Sequence, residues 1–167
     1  MARVEWSEST MQQSLFQWID GVALDYPPLR LAFHPANGGQ RHITTAERLK
    51  REGVRAGVPD VIIPLPIYDR DGEQMQYVGM AIELKVNKNK LSYLQANYLY
   101  QLTRHQWKVV VVRDFYEVAA WHICQAYHRT YLLADYAAVN QGKWAGVVND
   151  WTPAQWNESV QGGYDVR

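Results

Sequence analysis

The chain runs to 167 residues, 47% hydrophobic and 20% charged, a balance that fits one folded domain with a real core and excludes disorder over most of its length. Seventeen basic residues against seventeen acidic ones give a formal net charge of zero, which excludes a protein that holds nucleic acid by bulk electrostatics alone. The lone cysteine, Cys124, excludes an internal disulfide and a thiolate metal site; with no charged-then-apolar leader and no apolar run near the ~20 residues that span a bilayer, a reducing cytoplasm is the expected setting.

Taken in chain order, Ser7-Glu8-Ser9-Thr10 precedes Met11, Leu15, Trp18, Ile19 and Val22 at helical spacing, which predicts an amphipathic first helix. Glu8 and Gln12 stand one turn apart and share a face of it. Pro27-Pro28 ends that segment, and Leu29 to His34 reads as a short strand before the turn Pro35-Ala36-Asn37-Gly38-Gly39. Thr44 or Thr45 then caps a basic helix that ends near Gly53.

Asp60 closes Gly57-Val58-Pro59-Asp60 and opens the β-branched run Val61-Ile62-Ile63. After the polar turn Asp69-Arg70-Asp71-Gly72, residues Tyr77 to Val86 read as a second strand, and the two form a plausible hairpin. Side chains alternate along a strand, so Glu83 and Lys85 share one face while Leu84 points to the other. Residues 64–76 make the connection longer than a tight hairpin, a candidate for a mobile loop near a substrate or a dimer contact.

Ser92 caps a helix carrying Leu94, Tyr98, Leu99 and Leu102, with Gln95 in its first turn; Trp107 to Val112 is a strand buried on both faces; Asp114 starts a core helix through Val118, Trp121, Ile123 and Tyr127. A helix between the Glu83 strand and the Val109 to Val112 strand suggests a right-handed crossover and parallel pairing. The expected fold class is α/β, a restriction-endonuclease-like core with a mixed β-sheet flanked by helices.

The chemistry is one of charge. Gly-Val-Pro-Asp is ordinarily a turn and Glu-x-Lys an ordinary same-face pair, but Ile82-Glu83-Leu84-Lys85 sets both charges in an apolar strand, where unpaired charge is costly. If the partner strand brings Asp60 to the same end, two carboxylates and an ammonium converge. Mg²⁺ takes oxygen ligands, keeps several waters and needs only one or two protein carboxylates. Asp60 and Glu83 meet that demand, and the carbonyl of Leu84 offers a further oxygen. Lys85 would position or deprotonate a water, or offset charge on the transition state; sequence does not choose. Arg41, His42, Arg48, Lys50, Arg51 and Arg55 precede the Asp60 strand and Lys85, Lys88 and Lys90 accompany the Glu83 strand, placing basic groups such as Arg41 and Lys88 where they would grip flanking phosphates. His34 and Asn37 are candidates for substrate contact, since no compact histidine cluster suggests a metal site of their own. Neither glycine-rich nucleotide motif occurs, so no nucleotide cofactor is indicated.

Together, Glu8 with Gln12 and Trp18, His34-Pro35-Ala36-Asn37-Gly38-Gly39, Lys50 to Asp60, Ile82-Glu83-Leu84-Lys85 and Leu91 to Gln95 resemble the VRR-NUC family of virus-type replication-repair nucleases within the PD-(D/E)xK superfamily. The resemblance implies a Mg²⁺- or Mn²⁺-dependent DNA endonuclease, with Asp60 and Glu83 as metal ligands, Lys85 as the catalytic lysine, Glu8 as the acidic residue contributed by the first helix, and Gln95 supporting the site or touching phosphate. Stand-alone members are similar to phage junction-resolving enzymes, compact homodimers that cut branched DNA including four-way (Holliday) junctions. A non-catalytic DNA-binding module and a sequence-specific restriction enzyme are the competing readings. The resemblance implies a nuclease domain over residues 1–128, leaving 129–167 as a C-terminal extension. Its aromatic residues Tyr131, Tyr136, Trp144, Trp151 and Trp156 are expected to pack on the core or a partner subunit.

Overall fold

Alternation along the long central strand organises the molecule. The computed structural model describes residues 7–35, 43–129 and 145–162. Strand β1 (Val61–Ile63) pairs antiparallel with β4 (Gly79–Lys85), with Val61 opposite Ile82 and Ile63 opposite Met80. On its other side β4 runs parallel to β5 (Trp107–Arg113), in a register that sets Glu83 beside Val111 and Lys85 beside Arg113. Strand β6 (Ala145–Val147) adds antiparallel to β5, giving the order β1-β4-β5-β6. Both the hairpin and the parallel crossover expected from the sequence are present, in a mixed sheet flanked by helices.

Each face of the sheet carries its own apolar cluster. Ile82, Leu84, Val110 and Val112 face helices α1 (Glu8–Val22) and α4 (Tyr116–Ala126), meeting Met11, Leu15, Ile19, Val118 and Ile123. Ala81, Val109 and Val111 face helix α3 (Tyr93–Arg104) and pack with Ala96 and Leu99, together with Val148, Trp156 and Val160 from the C-terminal segment. Full burial of one such side chain contributes about 1.5–3 kcal/mol, so a dozen large residues at under 2% exposure dominate the stability of both layers. Within the C-terminal segment, α5 (Pro153–Ser159) docks through Trp156, whose ring meets Trp151 edge-on at 5.0 Å and Tyr100 at 5.8 Å. Tyr131, Tyr136 and Trp144 lie outside the described residues.

Three local expectations are corrected. Residues 29–34 do not form a strand: Pro27–Leu31 is a 3-10 helix, since two prolines at its start fix φ near −65° and carry the chain into a tight turn. Only Phe33 pairs with the sheet, through reciprocal backbone bonds to Ile62 at 2.9 and 3.0 Å. The strand expected over Tyr77–Val86 is two strands. Tyr77 closes β3 (Met75–Tyr77), which pairs with β2 (Ile67–Tyr68), and β4 starts afresh at Gly79, where a side chain would strike the Trp107 ring. The 64–76 connection carries a small hairpin, β2 paired with β3. It leaves from Ile63 and returns to Gly79, the end of the sheet remote from Asp60 and Lys85. The basic helix forms as α2 (Ile43–Arg51), but Thr44 and Thr45 lie inside it and not at its cap.

Candidate active site

Strand pairing creates the site. Because Val61 sits opposite Ile82, the next position outward places Asp60 beside the Glu83 end of β4, and Asp60 Oδ2 accepts the backbone N–H of Leu84 at 2.8 Å. Leu84, whose carbonyl is an expected metal ligand, also enters the site through its N–H. His34 Nδ1 donates to the backbone carbonyl of Asp60 at 2.7 Å, so the imidazole braces the chain behind the carboxylate.

Glu83 is fully buried and Lys85 only 4% exposed. Lys85 Nζ reaches Glu83 Oε1 at 2.8 Å and Glu8 Oε1 at 3.6 Å. Gln95 Nε2 also donates to Glu83 Oε1, and Gln95 Oε1 turns back to accept the N–H of Ser92 at 2.9 Å, completing a capping box at the start of α3. Glu83 Oε2 is buried with no hydrogen-bond partner among the described residues. A bare carboxylate oxygen in an apolar interior carries a desolvation cost, and a cation is the natural way to offset it.

The electrostatics follow the packing. Burial, then the Asp60 carboxylate, pushes Glu83 up to about 8 against the pull of Lys85. Burial likewise raises Asp60 despite the Leu84 N–H. For Lys85 burial is the largest influence and acts downward, but Glu83, Glu8 and Asp60 together outweigh it and hold the ammonium above its ordinary range. Among the described residues no group of three or more His, Cys, Asp or Glu closes into a metal cage. The donors on offer are the sparse pair that a hydrated Mg²⁺ or Mn²⁺ accepts, Asp60 and the bare Glu83 oxygen, while Glu8 at the rim is engaged by Lys85 and Asn89. That set fits such an ion.

Glu8 stands in the first turn of α1, where the Ser7 capping box fixes the helix start. Asn89 Nδ2 donates to the same Glu8 oxygen at 3.3 Å, a contact no local pattern announces. An open cleft of about 500 Å³ is lined by Glu8, Lys85, Lys88, Asn89, Lys90 and Gln161. The structure therefore brings together Glu8, Asp60, Glu83, Lys85 and Gln95 and sets Lys88 on the cleft wall. Asn37 and Arg41 lie outside the described residues. Sequence reasoning missed Asn89 and Gln161; neither carries a motif, and only tertiary packing places them. Gly57, ahead of Asp60, adopts φ +83° with its α-carbon against the carbonyl of Leu94, which seats the Asp60 turn on the start of α3.

Residues 30–114 match the VRR-NUC domain. That span includes Asp60, Glu83, Lys85 and Gln95 and leaves Glu8 and Gln161 outside. A solved structure described as a VRR_NUC domain protein is similar over 72% of this chain and 88% of its own, at 20% sequence identity and a TM-score of 0.55, a likeness of fold. No curated protein matches.

Proposed function

Since the chain belongs to the VRR-NUC family of nucleases, we propose that it is a Mg²⁺- or Mn²⁺-dependent endonuclease that hydrolyses phosphodiester bonds in branched DNA, four-way junctions among them. The observation that carries the chemistry is the buried, unpartnered Oε2 of Glu83 beside Asp60 and Lys85. Branched DNA and a homodimer rest on the resemblance to junction-resolving relatives.

In this reading Asp60 and Glu83 hold the ion, with Glu8 joining from α1. The bound ion would polarise a phosphoryl oxygen and lower the pKa of a water. Gln95 keeps Glu83 turned toward the ion by occupying its other oxygen. Lys85, held as an ammonium by the carboxylates around it, neutralises charge that accumulates on the phosphate rather than taking a proton from water. Lys88 contacts phosphate on the cleft wall, and His34 acts through the Asp60 backbone. Asn37 and Arg41 are proposed substrate contacts on sequence grounds.

The test is cleavage of end-labelled four-way junction, flap and linear duplex with Mg²⁺ or Mn²⁺, comparing wild type with Glu83→Ala and Lys85→Ala. Junction-selective cutting lost in both variants supports the reading. Equal cutting of every substrate removes the branch preference, discrete fragments from linear duplex indicate a restriction-type enzyme, and no metal-dependent cutting at all leaves a DNA-binding module.

A further inference from the structure

Beyond the carboxylates, the cleft has a second wall, and its construction is unusual for a surface loop. Residues 87–91 leave the end of β4 carrying Lys88, Asn89 and Lys90, all exposed. Such a lysine-bearing segment would ordinarily be free to sample many conformations. Here it is pinned from both sides.

On one side stands the end of β5. Arg113 Nη1 donates to the carbonyls of Asn87, at 3.3 Å, and Asn89, at 2.5 Å. Asp114 Oδ1 accepts the N–H of Asn87 at 2.5 Å, and the Asp114 N–H donates to the Lys85 carbonyl at 3.0 Å. Asn87 and Asp114 both hold left-handed backbone, at φ 55° and 64°, a conformation Asn and Asp adopt more readily than other non-glycine residues. On the other side is the C-terminal segment. Leu91 forms a parallel bridge with Val160: its N–H donates to the Ser159 carbonyl at 3.0 Å, and the Gln161 N–H donates to the Leu91 carbonyl at 3.1 Å. Leu91, Trp156 and Val160 are each at most 2% exposed, so the clamp is anchored in the core. Gln161, next to the Val160 bridge, lines the cleft together with Glu8, Lys85 and Lys88.

We propose that residues 87–91 and Gln161 form a preorganised clamp for the phosphodiester backbone of a DNA strand, assembled between the end of β5 and the C-terminal segment, with Lys88, Lys90 and Gln161 as phosphate contacts and Arg113 as a positioning residue. The proposal rests on the nuclease reading of the adjoining site and adds to it the half of the cleft that lies partly outside the matched family region. Asn89 spans the two halves, since its side chain holds Glu8 while its carbonyl is held by Arg113. Fixing the backbone that carries Lys88 and Lys90 before DNA arrives removes part of the ordering cost of binding.

The experiment is fluorescence-anisotropy binding of a labelled four-way junction and a labelled duplex in EDTA, so that no cutting occurs, over a series of salt concentrations, with cleavage in Mg²⁺ measured in parallel. Each phosphate neutralised contributes about 0.9 to the slope of log affinity against log salt. Lys88→Ala/Lys90→Ala is expected to lower that slope by about 1.8. Gln161→Ala is expected to weaken binding about tenfold with the slope unchanged, as for loss of a hydrogen bond to a charged group. Arg113→Leu is expected to weaken binding while retaining most of the slope, because the lysines remain but are no longer fixed; Arg113→Lys should recover part of the affinity. Circular dichroism and thermal melting confirm that each variant folds. If wild type cuts DNA in Mg²⁺ yet the lysine pair leaves the salt slope intact, the clamp is overturned and the nuclease reading stands. If wild type binds and the variants behave as stated but no metal supports cutting, the clamp stands and the nuclease reading falls. A wild type that neither binds DNA in EDTA nor cuts it in Mg²⁺ overturns both.

Discussion

Gln95 donates to Glu83 Oε1 and accepts the Ser92 N–H at 2.9 Å, so one amide both caps α3 and aims the buried carboxylate. Helix register and the orientation of the site's most buried oxygen are therefore one degree of freedom. Gln95→Ala should lose the cap bond and leave Glu83 held by Lys85 alone, costing about 1 kcal/mol of stability and lowering cleavage by at least tenfold. Gln95→Glu can still accept from Ser92 but sets an anion against Glu83. Urea unfolding should show it less destabilised than Gln95→Ala at low pH, while cleavage remains lost.

Lys85→Met keeps the length of the side chain and removes the charge. The variant should bind a divalent ion less tightly at neutral pH, because Glu83 loses the ammonium that favours its ionised form and stays protonated further into the alkaline range. Cleavage should fall by about 10²–10³, the usual scale for one preorganised electrostatic contact. Single-turnover cleavage alongside Mn²⁺ titration separates the two effects; unchanged single-turnover rates at saturating Mn²⁺ would sink the assigned role.

Stability should depend on pH in a direction opposite to that of a surface carboxylate. Glu83 rises from an ordinary 4.5 to about 8 in the fold, so below about 4.5 both folded and unfolded chains keep the proton and the site costs nothing. Between about 4.5 and 8 the unfolded chain releases a proton that the fold retains, and stability declines as pH rises. Above about 8 both are ionised and the decline ends. Thermal melting without metal should follow this course, by the order of several kcal/mol at about 1.4 per pKa unit. Mg²⁺ should raise the melting temperature more at pH 8.5 than at pH 5.5, and Glu83→Gln should flatten both dependences.

Gly57→Ala tests the seat of the Asp60 turn. At φ +83° a side chain is strained, and a methyl group there would meet the carbonyl of Leu94 at the start of α3. Relief requires the turn and the helix to part, at a cost of about 1–3 kcal/mol. Because Asp60 and Gln95 lie on the two separating elements, cleavage should fall more than stability alone explains. Equal urea midpoints for wild type and variant would count against this account.

How much was legible in the sequence depends on the range of the cause. Glu83 and Lys85 share a face because strand alternation is local, and the Ser92–Gln95 cap is readable over four residues. The approach of Asp60 to Leu84 follows from hairpin pairing, which needed only the two apolar runs. Tyr77 and Gly79 belong to different strands because Trp107, nearly thirty positions later, crowds the backbone there, and no local pattern reports that. The prolines at 27 and 28 marked a boundary correctly but not the 3-10 turn that follows it. Asn89, Arg113 and Gln161 were out of reach for the same physical reason: their partners are distant in sequence and chosen by how the sheet and the C-terminal segment pack.

The small β2–β3 hairpin leaves the sheet at Ile63 and Gly79, while the carboxylates stand at the other end of β4. Seven residues of strand separate those ends by about 20 Å, at roughly 3.3 Å per residue. A dye or affinity handle grafted at the hairpin tip, near Gly72, would sit within resonance-energy-transfer range of a labelled substrate. The architecture thus supplies its own reporter position, at the end of β4 remote from the carboxylates.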